Sequence, residues 1–151
     1  MAPAQKTNTQ AHMDGTGFSA DEKAAMRARA RELKAEQKSK DLRADGERDL
    51  LAKVAELPPA DRAMAERLHA LISEAAPDLD PKTWYGMPAW ARDGKVVCFF
   101  KPQSKFNARY ATFGFEDAAR IDDGTMFATS FGIVELTPAD EARIVELVKK
   151  A

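Results

Sequence analysis

The sequence predicts an α+β fold, in which an antiparallel or mixed sheet of about four to five strands packs against helices. Apolar residues recur at helical spacing through much of the first half of the chain and again at its end. From Trp84 onward, short β-branched and aromatic runs alternate with turn residues. A chain of 151 residues suits one core plus a tail, so we expect a single domain with an extra N-terminal helix.

The N-terminal region divides into a tail and a charged helix. Residues 1–17 lack periodic apolar side chains that would repay the entropy of ordering, so we expect a disordered tail. Residues 18–43 form the charged segment, where Ser19 and Glu22 have capping-box spacing and a helix should run to about Lys40. Its basic and acidic residues are interspersed along the sequence. This mixture favours a solvated helix stabilised by ion pairs over a nucleic-acid or partner-binding arm.

The main domain is expected over residues 44–151 and begins with two helices. Asp45-Gly46 predicts a break, with Asp45 as the N-cap of the next helix. Pro58-Pro59 ends that helix, and its second proline suits the first turn of a third. His69 lies in the third helix, away from most of its apolar stripe, and His12 lies in the tail. We therefore expect His69 to be a surface residue and not a metal ligand.

The strands follow from Trp84 and the apolar runs after it. Residues 92–95 have the form of an Asp-Gly hairpin turn. The unbroken apolar run over residues 96–100 predicts a central strand covered on both faces. The remaining elements are expected to be a strand at residues 109–115, a helical turn at 116–121, a strand region at 127–136 and a helix from Thr137 to about Lys149.

Composition narrows the function classes. With 23 basic and 24 acidic residues, the net charge of -1 gives no global attraction to nucleic acid or to anionic membranes. The single cysteine, Cys98, allows no internal disulfide and suits a reducing compartment. No apolar run approaches the length of about 20 residues that spans a bilayer. We therefore expect a cytoplasmic protein without a membrane partner, as a monomer or weak homodimer.

The sequence contains no recognisable catalytic motif. A nucleophile motif, a phosphate-cradling glycine loop, a histidine-carboxylate metal pattern and a cofactor fingerprint are all missing. Cys98 lies inside the apolar run, where burial would keep its thiol unreactive. We therefore predict a non-catalytic binding protein with no catalytic residues.

A family resemblance is centred on Tyr85-Gly86-Met87-Pro88-Ala89, which is followed by Gly94-Lys95 and an apolar strand. Together with Leu57-Pro58-Pro59, Arg62, Leu68, Ile72 and Ala76-Pro77, this motif resembles the YdhG-like family of bacterial domains of unknown function. The similarity covers roughly residues 47–150. Some members are described as frataxin-like intracellular iron chaperones. The resemblance thus implies an α+β fold and weak iron binding.

One departure from the family pattern limits what can be carried over. Many relatives have a histidine in the loop that enters the strand after the central one. This chain has Phe106-Asn107-Ala108 there. Any ligand role of that histidine in relatives therefore does not extend to this chain.

The first candidate site is a set of four carboxylates near Gly124. Carboxylate oxygens bind hard cations, and ferrous iron fits the chaperone-like reading. The alternative is that these residues cap and solubilise a loop. The predicted metal ligands are Glu116, Asp117, Asp122 and Asp123.

The second candidate site is an aromatic pocket with a positively charged rim, suited to a small anionic or aromatic ligand. The alternative is an aromatic core with lysines at its edge. The predicted pocket residues are Trp84, Tyr85, Met87, Pro88, Trp90, Lys101, Lys105, Arg109 and Tyr110. We expect iron or a small anion as the partner, and nucleic acid only in the alternative function, an interaction module that uses the basic N-terminal helix.

Overall fold

A computed structural model describes residues 17–151, which form four α-helices and a five-stranded antiparallel sheet. The elements in chain order are α1 (Ala20–Lys38), α2 (Leu42–Ala55), α3 (Pro59–Ala75), β1 (Asp80–Trp84), β2 (Met87–Arg92), β3 (Lys95–Lys101), β4 (Ala111–Phe115), β5 (Ser130–Ile133) and α4 (Pro138–Lys150). A short 3-10 turn, Gln103–Lys105, lies between β3 and β4. The α+β class is confirmed. The tail predicted for residues 1–17 lies, apart from Gly17, outside the described residues, as does His12.

Capping side chains fix the starts of α1, α2 and α4, and a proline begins α3. Ser19 accepts a hydrogen bond from the Glu22 amide while the Glu22 carboxylate accepts one from the Ser19 amide, which completes the predicted capping box. Thr137 and Asp140 make the same reciprocal pair at α4. Pro59 is the first residue of α3, where its missing N–H costs nothing.

The start of α2 differs from the prediction. The break falls at Ser39 and Lys40, and Asp41 is the N-cap because its carboxylate accepts from the Ala44 amide. Gly46 therefore lies inside the helix, at a position where glycine costs about 1 kcal/mol relative to alanine. The reason is packing: a Cβ on Gly46 would lie 2.2 Å from the Pro81 carbonyl oxygen of β1. The Asp45-Gly46 pattern, which predicted a helix break, therefore reflects a close contact between α2 and β1.

The five strands pair in chain order, β1-β2-β3-β4-β5, and all pairs are antiparallel. Two-residue turns join the first three strands. Asp93 and Gly94 have φ values of 52° and 78°, and Tyr85 and Gly86 have values of 53° and 76°. Positive φ at both central residues is the requirement of the type I′ hairpin turn. The predicted Asp-Gly hairpin and the central position of β3 are both present.

The core lies on the face of the sheet that packs against α2, α3 and α4. Trp90 of β2 is paired with Cys98 of β3, which is paired with Phe115 of β4, so these side chains share that face. All three are buried together with Leu50 and Leu68 from the helices. Burial raises the pKa of the Cys98 thiol, which agrees with an unreactive cysteine.

The connection from β4 to β5 is longer and less regular than predicted. Residues 116–121 contain a turn, in which the Ala119 amide donates to the Glu116 carbonyl, but no helix. The strand expected at residues 127–136 is limited to Ser130–Ile133. Residues 122–130 are all exposed, so no apolar neighbour extends the strand toward its N-terminal side.

Candidate functional site

Helix α1 is docked on the edge of the sheet. Its Ala25 and Ala28 are buried. The Gly86 amide donates to the Glu32 carboxylate at 3.3 Å. The Lys82 ammonium lies 2.6 Å from the Glu36 carboxylate. A side of α1 made of small and acidic residues therefore faces β1 and the β1–β2 turn.

The opposite side of α1 carries a row of basic residues, which we call the basic stripe. At 100° per residue, its members lie within about 80° of one another around the helix axis and span about 22 Å. They are Lys23, Arg27, Arg31, Lys34 and Lys38. Lys23 is half-buried, and the other four are exposed. These four residues of the stripe face solvent.

The acidic residues of α1 lie away from the stripe. All four are roughly 120° or more from Arg27 around the axis. Asp21 and Glu22 occupy the first turn, where negative charge favours the helix N-terminus. Glu32 and Glu36 lie on the docked side. Charges that are interspersed in the sequence are therefore separated by face in the folded helix.

The two docked carboxylates, Glu32 and Glu36, have pKa values shifted in opposite directions. Burial raises the pKa of Glu32, although the Gly86 amide and Arg29 act in the other direction. Burial also disfavours the charged form of Glu36, but its bonds to Lys82 and Arg29 outweigh burial and lower its pKa. Glu32 lines a cleft of about 130 Å³ between α1, α2 and β1. Its Oε1 atom is buried there without a hydrogen-bond partner among the described residues.

Aromatic rings cover part of the sheet face opposite the core. The ring of Trp84 lies 5.1 Å from that of Tyr85 and 5.5 Å from that of Phe99, between centroids. The Phe99 ring extends over Gly114, where an added Cβ would approach it to 2.5 Å. We call Trp84, Tyr85 and Phe99 the aromatic platform. Tyr110 lies over Gly132 of β5 in the same manner.

Cationic side chains surround these rings. The Arg29 guanidinium carbon lies 6.0 Å from the centroid of Tyr85, and that of Arg109 lies 5.8 Å from Tyr110. The ammonium groups of Lys101 and Lys105 lie 5.2 and 5.4 Å from the centroid of Phe106. Burial and the charge of Lys53 lower the pKa of Lys105. The surface beside α1 therefore combines aromatic and positive groups.

The predicted aromatic pocket is divided between the two faces of the sheet. The side of the sheet that carries the aromatic platform holds Trp84, Tyr85 and Lys101. Met87 lies beneath the N-terminal end of α1, in a shallow cleft that Lys101 also lines. Trp90 is 1 % exposed and belongs to the core, and Pro88 is also fully buried. The reason is strand alternation, because residues 88 and 90 point to the opposite face from residues 87 and 89.

His69 is largely buried, which corrects the prediction of a surface histidine. Its side chain is 12 % exposed. The Trp90 indole Nε1 donates to His69 Nδ1 at 3.3 Å, and His69 Nε2 lies 3.1 Å from a Glu47 carboxylate oxygen. Because indole N–H can only donate, Nδ1 is the acceptor and Nε2 carries the proton toward Glu47. The sequence pattern failed here because the contacting partners come from β2 and α2.

The four predicted metal ligands form separate exposed carboxylates. Glu116, Asp117, Asp122 and Asp123 are all exposed, and the Lys150 ammonium binds the Asp122 backbone carbonyl at 2.8 Å. Across residues 17–151, no three His, Cys, Asp or Glu side chains come together in a way that could hold a metal ion. The carboxylate site stays a prediction from sequence, without a gathered ligand set to support it.

The basic stripe is the feature that sequence reasoning missed. Its residues are separated by four, four, three and four positions, which is the spacing of one helix face. A projection of residues 20–38 around a helix axis would have revealed it. Basic and acidic residues alternate in the order of the sequence, so their separation becomes visible only when the faces of the helix are compared.

No family model, curated protein or solved structure matches this chain. In the part of the chain that the structure covers, no helix is long and apolar enough to cross a membrane.

Proposed function

We propose that this protein is a non-catalytic nucleic-acid-binding protein that contacts the phosphate backbone through the basic stripe of α1. The observation that carries the proposal is the separation of charge around α1, which leaves four exposed cationic side chains on the face away from the sheet: Arg27, Arg31, Lys34 and Lys38. A solvated helix held by ion pairs would place its acidic residues beside its basic ones on that same face.

The dimensions of the stripe suit a polyanion. Its four exposed cations, from Arg27 to Lys38, span about 16 Å, which places one charge every 5–6 Å along the helix. Such a row can neutralise several phosphates of one strand. The stripe is carried by a helix whose other side is fixed to the sheet at Ala25, Ala28 and Glu36. Docking holds the cations in one row, which reduces the entropy lost on binding.

Nucleic acid fits this surface better than an anionic membrane. A helix that lies in a membrane interface needs large apolar residues opposite its basic face. In α1 that opposite side holds Ala25, Ala28 and Glu32 and is already in contact with the sheet. The large apolar residues exposed along α1, Met26 and Leu33, lie on one flank of the helix and are too few for the apolar face that such a helix needs.

The test compares two triple variants that change net charge equally. The stripe variant is Arg27→Gln, Arg31→Gln, Lys34→Gln, because glutamine keeps helix propensity. The control is Lys95→Gln, Arg120→Gln, Lys149→Gln, whose three residues are exposed and lie outside α1. Binding of a short labelled single-stranded oligonucleotide is measured by fluorescence anisotropy over a range of salt concentrations.

We expect the wild-type chain and the control to bind with a log–log salt slope of about -3, as about four phosphate contacts on a single strand require. The stripe variant should lose about two units of that slope. Equal losses in both triple variants would mean that net charge alone causes binding and would refute the stripe. If the protein bound anionic vesicles and no oligonucleotide, its ligand would be a membrane surface, and the proposal of nucleic-acid binding would be refuted.

Iron binding and membership in the YdhG-like family stay predictions that rest on sequence resemblance. The exposed carboxylates at residues 116–123 are not gathered into a coordination set, so the geometry gives the iron-chaperone reading no support of its own.

A further inference from the structure

We propose that the aromatic platform stacks on nucleic-acid bases, which makes a single strand the preferred ligand of this protein. This inference rests on the proposed function, since the basic stripe would supply the backbone contacts. It adds a second surface, a different set of residues and a chemical distinction between single-stranded and paired nucleic acid.

The three rings of the platform form one continuous and partly exposed aromatic surface on which a base could stack. Trp84 bridges Tyr85 and Phe99 at centroid distances of 5.1 and 5.5 Å, so the three rings are contiguous. Phe99 is supported from below by Gly114, which leaves room for the ring against the β4 backbone. Tyr85 is 36 % exposed, and Trp84 and Phe99 are half-buried. Their rings are therefore fixed by the sheet while part of each surface remains open.

Tyr85 occupies a conformation that the turn alone does not explain. Its φ of 53° lies in the left-handed region, which is costly for residues with large side chains. Asparagine or glycine is the preferred residue at this position of a type I′ turn. The ring packs against Trp84 and lies beside Arg29, and more than a third of the residue stays exposed, so the turn holds a partly open aromatic surface.

The platform and the stripe lie on different sides of α1. Arg29 is on the docked side, about 160° from Arg27 around the axis, and its guanidinium is near the Tyr85 ring and bonded to Glu36 at 3.2 Å. A strand that contacts both the stripe and the rings therefore crosses over α1, whose diameter is about 10–12 Å. Lys101 and Lys105, next to Phe106, extend positive charge past the other side of the β1–β2 turn.

The chemistry favours unpaired bases. In a duplex the base faces are stacked on one another and are not accessible to side chains, whereas bases of a single strand can stack on aromatic rings. Such stacking is tolerant of sequence because every base has a π-face. The platform should therefore discriminate single strands from duplexes more than one sequence from another.

The test uses Trp84 as its own reporter. Trp84 is half-buried on the platform, and Trp90 is buried in the core, so stacking should quench the fluorescence of Trp84 selectively. The full chain is titrated with a single-stranded oligonucleotide, the matching duplex and inorganic polyphosphate. The decisive variant is Tyr85→Asn, which suits the turn and should preserve folding. The control is Phe127→Asn, which removes an exposed ring outside the platform.

We expect quenching by the single strand only, and about a tenfold weaker affinity for it in Tyr85→Asn, as the loss of one stacked base implies. Polyphosphate should bind Tyr85→Asn and the wild-type chain equally, because it contacts only the stripe. Phe127→Asn should match the wild-type chain throughout. If single strand and polyphosphate bind without quenching and Tyr85→Asn changes neither affinity, the platform is refuted and the backbone function stands. If neither ligand binds the wild-type chain, both proposals fail.

Discussion

At the scale of single residues, the hydrogen bond from Trp90 to His69 satisfies the N–H of an indole that is buried in the core. Trp90 is 1 % exposed, so its N–H has no access to water and requires an acceptor. His69 supplies that acceptor from α3, and its other nitrogen reaches Glu47 of α2. One imidazole therefore connects two helices to the sheet.

Replacing His69 tests the value of this connection. His69→Leu leaves the Trp90 N–H unpaired in the core and should cost about 1–3 kcal/mol of unfolding free energy, measured by urea denaturation. His69→Asn places an oxygen near the position of Nδ1 and should lose less. The matched change at the exposed end, Glu47→Gln, should cost under about 1 kcal/mol. A His69→Leu variant as stable as the Asn variant would contradict the role of the acceptor.

At the scale of elements, the docking of α1 depends on two carboxylates with opposite responses to pH. Glu32 has a raised pKa in the folded protein, so the folded state takes up a proton before the unfolded chain does. Its contribution to stability is therefore full below the ordinary value of 4.5 and is lost as pH rises through the folded pKa. Glu36 has a lowered pKa, and its contribution is lost as pH falls through that lower value.

Two glutamine variants separate these effects. Glu32→Gln should be at least as stable as the wild-type chain at pH 7, by less than about 1 kcal/mol, and the difference should shrink on acidification toward pH 4.5. Glu36→Gln should be less stable at pH 7, because Lys82 loses its partner. Urea midpoints at the two pH values give both numbers. A Glu32→Gln variant that is strongly destabilised at pH 7 would contradict the raised pKa.

The elements that sequence predicts well are those fixed by local chemistry. The Ser19 capping box, the Pro59 start of α3 and the Asp93-Gly94 hairpin depend on residues within four positions of one another. The elements that it misplaces depend on partners far along the chain. Position 46 of α2 requires glycine because a Cβ there would meet the Pro81 carbonyl oxygen, which lies on another element.

The candidate sites show the same division. The pairing of Trp84 with Met87 across the β1–β2 turn, together with alternation along β2, places Trp84 and Trp90 on opposite faces, but the sequence did not say which face the helices cover. To predict the environment of His69, one would have to know that α2 and β2 both contact α3 at this residue. The row of cations on α1 was present in the sequence as a regular spacing, and only the docked side of the helix had to be learned from the structure.

At the scale of the whole molecule, α1 is an addition to a domain that has its own core. The buried core cluster takes its residues from α2, α3, α4, the strands and the segments joining them, and none from the part of α1 that the structure describes. Helix α1 packs on this domain through two buried alanines, a few polar bonds and the contact of Arg29 with the Tyr85 ring. The sheet and the other helices should therefore fold without it.

A chain that starts at Asp41, which retains the cap of α2, tests this view. We expect cooperative unfolding, a dispersed amide spectrum and a loss of about 2 kcal/mol, the scale of two small buried side chains and one or two hydrogen bonds. Binding to polyanions should disappear because the basic stripe is gone. A collapsed spectrum or a non-cooperative transition would mean that α1 is part of the folding unit.

The pairing of strands in chain order also bears on how the protein reaches its native state. Each strand pairs with its neighbour in sequence, and the first two hairpins close through two-residue turns. Such hairpins form in about 1–10 μs, and little loop-closure entropy must be spent before the sheet is assembled. The sequence-distant step is the packing of α4 against α3, where Arg67 binds Glu141. Attachment of the C-terminal helix, and not sheet formation, should therefore limit the folding rate.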